Sequence, residues 1–174
     1  MATPAPDGIS DIHLHPRRGY AGHANPLPLL ILVAVLAAGL LGLLGGQPDP
    51  VRISRNAAAE IAVRAPATLR NGMFFEMTVD VTPRRPVKDL TIAVSGALWH
   101  EMTINTTMPS ADKEEFKDGA FRFSFGEVKA GETRRFKIDG QVNPPMFLGT
   151  HGEVAAFDGE TRLVSVPIRI KVRP

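Results

Sequence analysis

The chain has 174 residues, 44% of them apolar, with 20 Lys and Arg against 18 Asp and Glu. A net charge of +2 is too small for a nucleic-acid binder with a concentrated basic surface, and the ordinary apolar content excludes a disordered or multi-span chain. The absence of cysteine excludes disulfides, iron–sulfur clusters, thiol chemistry and cysteine-linked lipid.

Residues 1–26 read as a polar N-terminal tail. Pro4, Pro6, Gly8, Pro16, Gly19 and Gly22 break any apolar period, so a loosely extended segment is expected. His13, His15 and His23 are read as part of that polar tail rather than as metal ligands.

Leu27 to Leu44 is uncharged and reads LPLLILVAVLAAGLLGLL. At helical rise this comes close to the thickness of a bilayer core, and it predicts a transmembrane helix over 27–46. The apolar run is longer than that of a cleaved signal peptide, so a permanent anchor is expected. Arg17 and Arg18 before it favour a cytoplasmic tail. The expected location is the bacterial inner membrane, single-pass, with the C-terminal domain periplasmic or extracellular. Ala34, Ala38, Gly42 and Gly46 recur every four residues, a small-residue ladder that lets a second helix approach closely. The expected partners are therefore the lipid bilayer and either an integral membrane protein or a second copy in a homo-oligomer. No nucleic acid is expected.

Residues 47–55 form a linker and first strand, stiffened by Pro48 and Pro50. Residues 56–174 then alternate with period two. The clearest inward row is Met73, Phe75, Met77, Val79 and Val81. Leu90, Ile92 and Val94 form another; so do Met102 and Ile104, and then Phe121, Phe123 and Phe125. Phe136 and Ile138 follow. Val154 and Ala156 run into an Asp158-Gly159 hairpin turn, and Val164 to Val172 closes the domain. Ser110 to Phe116 is expected to form one helical turn at most. About eight antiparallel strands of this length predict a two-sheet sandwich, with a small barrel as the alternative.

The stretch Gly119 to Thr133, with its Phe121-x-Phe-x-Phe125-Gly126 strand and Gly131-Glu132 turn, followed by Phe136 and Ile138, resembles bacterial immunoglobulin-like modules. The resemblance implies an all-β immunoglobulin-like sandwich, here on a single N-terminal transmembrane helix. It implies an adhesive, spacer, chaperone-like or accessory role and transfers no catalytic residues.

No Gly-x-Ser-x-Gly, phosphate loop or His-Glu-x-x-His occurs, so no enzyme is expected. Trp99, the only tryptophan, is read as a core or rim aromatic, with a partner or membrane contact as its functional alternative. His100 and Glu101 beside it are expected to point to opposite faces of a strand. Met146, Phe147 and Leu148 follow Pro144-Pro145 in a long loop. They either contact a partner or membrane or plug one end of the sandwich. No cofactor or metal site is assigned. The resulting expectation is a non-catalytic, membrane-anchored accessory or scaffold subunit of a membrane complex. The alternative is a metal- or ligand-binding module, such as a copper-handling assembly factor using His100, His151 or a methionine.

Overall fold

The structure, a computed structural model, describes residues 26–43, 48–146 and 148–173. The chain divides into two units, 1–44 and 45–174, each described by itself.

The first unit carries one helix, α1 (Leu27–Leu40). Its 14 residues span about 21 Å at 1.5 Å per residue, short of the ~30 Å hydrocarbon core. No helix among the described residues is long and apolar enough to cross a membrane. The reason lies in the small residues. Gly42 has φ +68°, in the left-handed region that glycine adopts without steric cost. Its N–H donates to the Gly39 carbonyl, and the Leu43 N–H reaches back to Ala38. This pair of bonds is a Schellman closure, which ends the helix at Leu40, short of the expected end at 46. Ala34 and Ala38 thus lie on α1 while Gly42 lies past its end; Gly46 falls outside the described residues.

This finding corrects the expectations built on the spanning helix. The single-pass topology with a cytoplasmic tail and an outer domain in the inner membrane falls with it. So do the lipid bilayer and the membrane protein or homo-oligomer as partners through that helix, and the role of membrane-anchored accessory subunit.

The second unit is all β. Its strands are β1 (Val51–Arg55), β2 (Ala59–Arg64), β3 (Thr68–Arg70), β4 (Phe74–Pro83), β5 (Leu90–Ser95), β6 (Met102–Met108), β7 (Lys113–Lys117), β8 (Ala120–Ser124), β9 (Arg134–Val142), β10 (Thr150–Asp158) and β11 (Thr161–Arg173). One sheet runs in the order β1-β2-β4-β9-β6 and the other β3-β11-β10-β5-β8-β7. All pairings are antiparallel except the short parallel contact of β3 with the end of β11. The 110–116 stretch, expected to hold one helical turn at most, leads into β7. Asp118 and Gly119, both at positive φ, make the tight turn into β8 that a two-residue hairpin needs.

The core is the shared interior of the two sheets. Ile61, Val63, Met77, Val79 and Val81 come from one sheet and Ile92, Val94, Val154, Ile168 and Ile170 from the other. Phe136, fully buried, lies against Phe123 and Phe125 with ring centroids 5.0 and 5.1 Å apart. Two members of the expected inward rows depart from this interior. Met73 precedes β4 and is exposed, and Phe121 is 37% exposed at the edge of the sandwich.

Candidate functional site

β6 is the last strand of one sheet and β7 the last strand of the other. The chain crosses between sheets through residues 96–101, after β5 and before β6. That crossing is pinned on both sides. The Gly96 N–H donates to the Gly119 carbonyl at 2.8 Å, and the Met102 N–H donates to Trp99 at 3.2 Å. Leu98, within the crossing, is fully buried. Gly152 on β10 has no room for a side chain, since a Cβ there would meet Ser95 Oγ at 2.0 Å and Leu98 Cβ at 2.9 Å.

This crossing brings Trp99 to the open edge of the sandwich. There a cleft of about 350 Å³ is lined by Trp99, Met102, Ile104, Phe121 and Phe123, with Asn105, Thr106, Thr107 and Glu114. Its wall is a continuous aromatic series. Exposed Phe116 meets Phe121 at 4.9 Å, Phe121 meets Trp99 at 5.2 Å, Trp99 meets Phe123 at 5.8 Å, and Phe123 passes the contact to buried Phe136. Tilted and edge contacts at these distances are the preferred geometries of aromatic pairs. Trp99 itself is 7% exposed, and its Nε1–H is buried with no hydrogen-bond partner. A buried donor left unpaired costs about 1–3 kcal/mol.

A second cluster lies on β5, β7 and β8 and the turn after β10. Arg122, 7% exposed, reaches Glu160 at 2.8 Å and Asp118 at 3.0 Å, with its guanidinium 4.9 Å from the Phe157 ring centre. Lys117 also pairs with Glu160, and these two cations hold the Glu160 carboxyl below the usual carboxylate range, Lys117 foremost. Ser124 bonds Asp89 beside them. The space these groups leave is only about 100 Å³. Arg122 Nε is buried without a partner, while its two terminal nitrogens and Lys117 are taken up by Glu160 and Asp118, so the cluster ties strands and loop together.

The remaining residues singled out in the sequence are dispersed. His100 and Glu101 sit in the crossing turn, not in a strand, and approach to 3.9 Å on the surface, Glu101 at φ +56°. His151 lies in β10. Met77 is core, and Met102 lines the cleft. No group of three His, Cys, Asp or Glu gathers to hold a metal among the described residues. Met146 is buried in the core and Leu148 is 93% exposed; Phe147 lies outside the described residues.

No protein family matches the chain, and no curated protein does. Solved structures similar to it include the sporulation control protein Spo0M from Bacillus subtilis, at 17% identity and TM-score 0.43, over 68% of this chain and 51% of that one. The chain thus spans about half the length of that structure. The chitin-binding domain of a chitinase from Pyrococcus furiosus is similar at 16% identity and TM-score 0.42, over 63% and 95%. The sulfur carrier protein SoxY from Chlorobium limicola is similar at 14% and 0.40, over 81% and 99%. The resemblance is to small β-sandwich domains in general. It describes the fold alone.

Proposed function

We propose that the protein is a non-catalytic ligand-binding module, built on a sandwich of immunoglobulin-like kind, whose ligand enters the cleft between β6 and β8. The ligand is a small, largely apolar molecule carrying a carbonyl or hydroxyl oxygen. One observation carries this reading: a cleft of ligand size, lined by Met102, Ile104, Phe121 and Phe123 with a few polar side chains, runs along Trp99, whose buried Nε1–H has no partner in the protein. Ligand pockets run from about 300 Å³ upward, mostly apolar with a few placed polar groups. A tilt of the indole that turns Nε1 toward the cleft would let an acceptor oxygen satisfy the donor while the rest of the molecule covers Phe121, Met102 and Ile104. The metal half of the alternative reading gains no support from the dispersed histidines and methionines.

The single tryptophan makes the test direct. Medium-chain aliphatic ketones, alcohols and methyl esters are titrated against the full chain while Trp99 fluorescence is followed. Saturable change is expected, at lower concentration than for alkanes of equal length. Met102→Phe, which narrows the cleft with another apolar side chain, should weaken it at least ~tenfold. Saturation that Met102→Phe leaves untouched, or equal response to alkanes, would refute the reading.

A further inference from the structure

The last strand carries a row of cations that chain order disguises. In β11, Ile168, Ile170 and Val172 are buried, while Arg169, Lys171 and Arg173 alternate with them on the exposed face. The register extends the row sideways. Arg173 lies opposite Arg70 of β3, and Arg169 lies opposite His151 of β10. Register partners project from the same face of a sheet, and like charges placed opposite each other destabilise the pairing. Elsewhere in the fold such charges find a partner: Asp80 lies opposite Arg135 and pairs with it at 2.7 Å, and Glu76, opposite Asp139, reaches the diagonal Lys137 at 2.8 Å. Here base opposes base. Among the described residues, Arg70, Arg169, Lys171 and Arg173 have no salt-bridge partner. Arg52 adds a further guanidinium at the border: one amine donates to the Arg169 carbonyl at 3.2 Å, and Nη1 is buried without a partner.

Side chains two apart on a strand repeat at about 7 Å. Arg169, Lys171 and Arg173 therefore form a linear array with the repeat of another extended polypeptide. A hollow of about 430 Å³ runs beside it, lined by Arg169, Lys171, Arg173, His151 and Leu148. Leu148 is 93% exposed at its end. No phenylalanine, tyrosine or tryptophan among the described residues lines this hollow, whereas single-stranded nucleic acid is held on rows of such rings.

We propose that this row docks an extended acidic polypeptide segment of a partner protein, with carboxylates at alternate positions and an apolar side chain to cover Leu148. Each guanidinium can take a carboxylate through paired hydrogen bonds, which makes the contact directional as well as attractive. The surface is separate from the aromatic cleft, and it stands or falls independently of the ligand proposed there.

The test follows anisotropy of a labelled synthetic peptide of alternating glutamate and threonine ending in leucine, titrated with the full chain. Binding is expected to saturate at about 50 mM salt and to weaken several-fold by about 200 mM. Arg169→Glu with Lys171→Glu should weaken it at least ~tenfold, and the milder Lys171→Gln about threefold. Arg84→Glu with Arg85→Glu, a matched charge change on the exposed turn after β4, should change it less than ~twofold. Thermal unfolding of each variant verifies its fold. Equal loss in the two double variants would overturn the proposal. So would absence of saturation, or tighter binding of a single-stranded oligonucleotide of equal charge.

Discussion

Trp99 and Phe121 face each other across the open edge of the sandwich, ring centroids 5.2 Å apart and planes inclined by 38°. The first is buried and the second 37% exposed, so the pair marks where the core becomes surface. Trp99→Phe keeps an aromatic ring against Phe121 but deletes the unpaired donor. Relief of the unpaired N–H, about 1–3 kcal/mol, opposes the loss of ring volume. Unfolding free energy from denaturant titration should change by no more than about 1 kcal/mol. Affinity for an acceptor-bearing ligand, measured by calorimetry, should fall about three- to tenfold, the worth of one hydrogen bond. An affinity equal to that of the unaltered chain would mean that the indole N–H does not hold the ligand.

The inner end of the same aromatic series is structural. Phe136 is fully buried in β9 and touches both Phe123 and Phe125. Phe136→Ala leaves a cavity between the sheets and should cost about 3–5 kcal/mol. Because domains of this size commonly have only about 5–15 kcal/mol in total, the midpoint in urea should fall sharply. A loss below about 1 kcal/mol would mean that the sandwich collapses around the gap.

The period-two rows from Phe75 to Val81 and from Val164 to Val172 made the sheets legible, because each buries alternate residues. The edges were not legible. Phe121 reads as one of three equivalent phenylalanines, yet only its two neighbours in the row are buried; what differs is that Phe121 stands at the start of β8, just after the Asp118-Gly119 turn, which no period records. The KEEFK segment of β7 is strand by virtue of the Asp118-Gly119 turn. Leu27 to Leu44 misled because hydropathy counts Gly42 as one more apolar residue, while its backbone stops the helix. The basic row was hidden for a further reason. Arg70, His151 and Arg169 are far apart in sequence and meet only through register.

Two glycines of like conformation should behave differently. Gly149 has φ +95°, and a Cβ there would lie 2.2 Å from the Ile170 carbonyl oxygen, a backbone atom that cannot rotate away. Gly72 has φ +75° with open space around it. Gly72→Ala should cost about 1–2 kcal/mol, the left-handed penalty alone. Gly149→Ala should cost at least about 3 kcal/mol, or prevent folding, because β11 must also move. Equal midpoints for the two variants would show that the loop before β10 adjusts without disturbing β11.

Acid sensitivity should trace in part to two exposed carboxylates. Glu76 is held below its ordinary range chiefly by the hydrogen bond from Lys137, and Glu160 by Lys117 and then Arg122. Each is more acidic folded than unfolded, so the unfolded chain binds more protons as the medium is acidified. The stabilisation is complete above the unfolded value, roughly 4.3 for a glutamate, and is lost as pH falls through the folded one. Solvent screening keeps both effects small. Glu76→Gln and Glu160→Gln should each flatten the fall of melting temperature between about pH 5 and pH 3. Glu160→Gln should also lower it at neutral pH, because Arg122, buried beside it, keeps only Asp118 as an anionic partner. Melting curves with slopes parallel to those of the unaltered chain would show that these ion pairs do not set the acid limb.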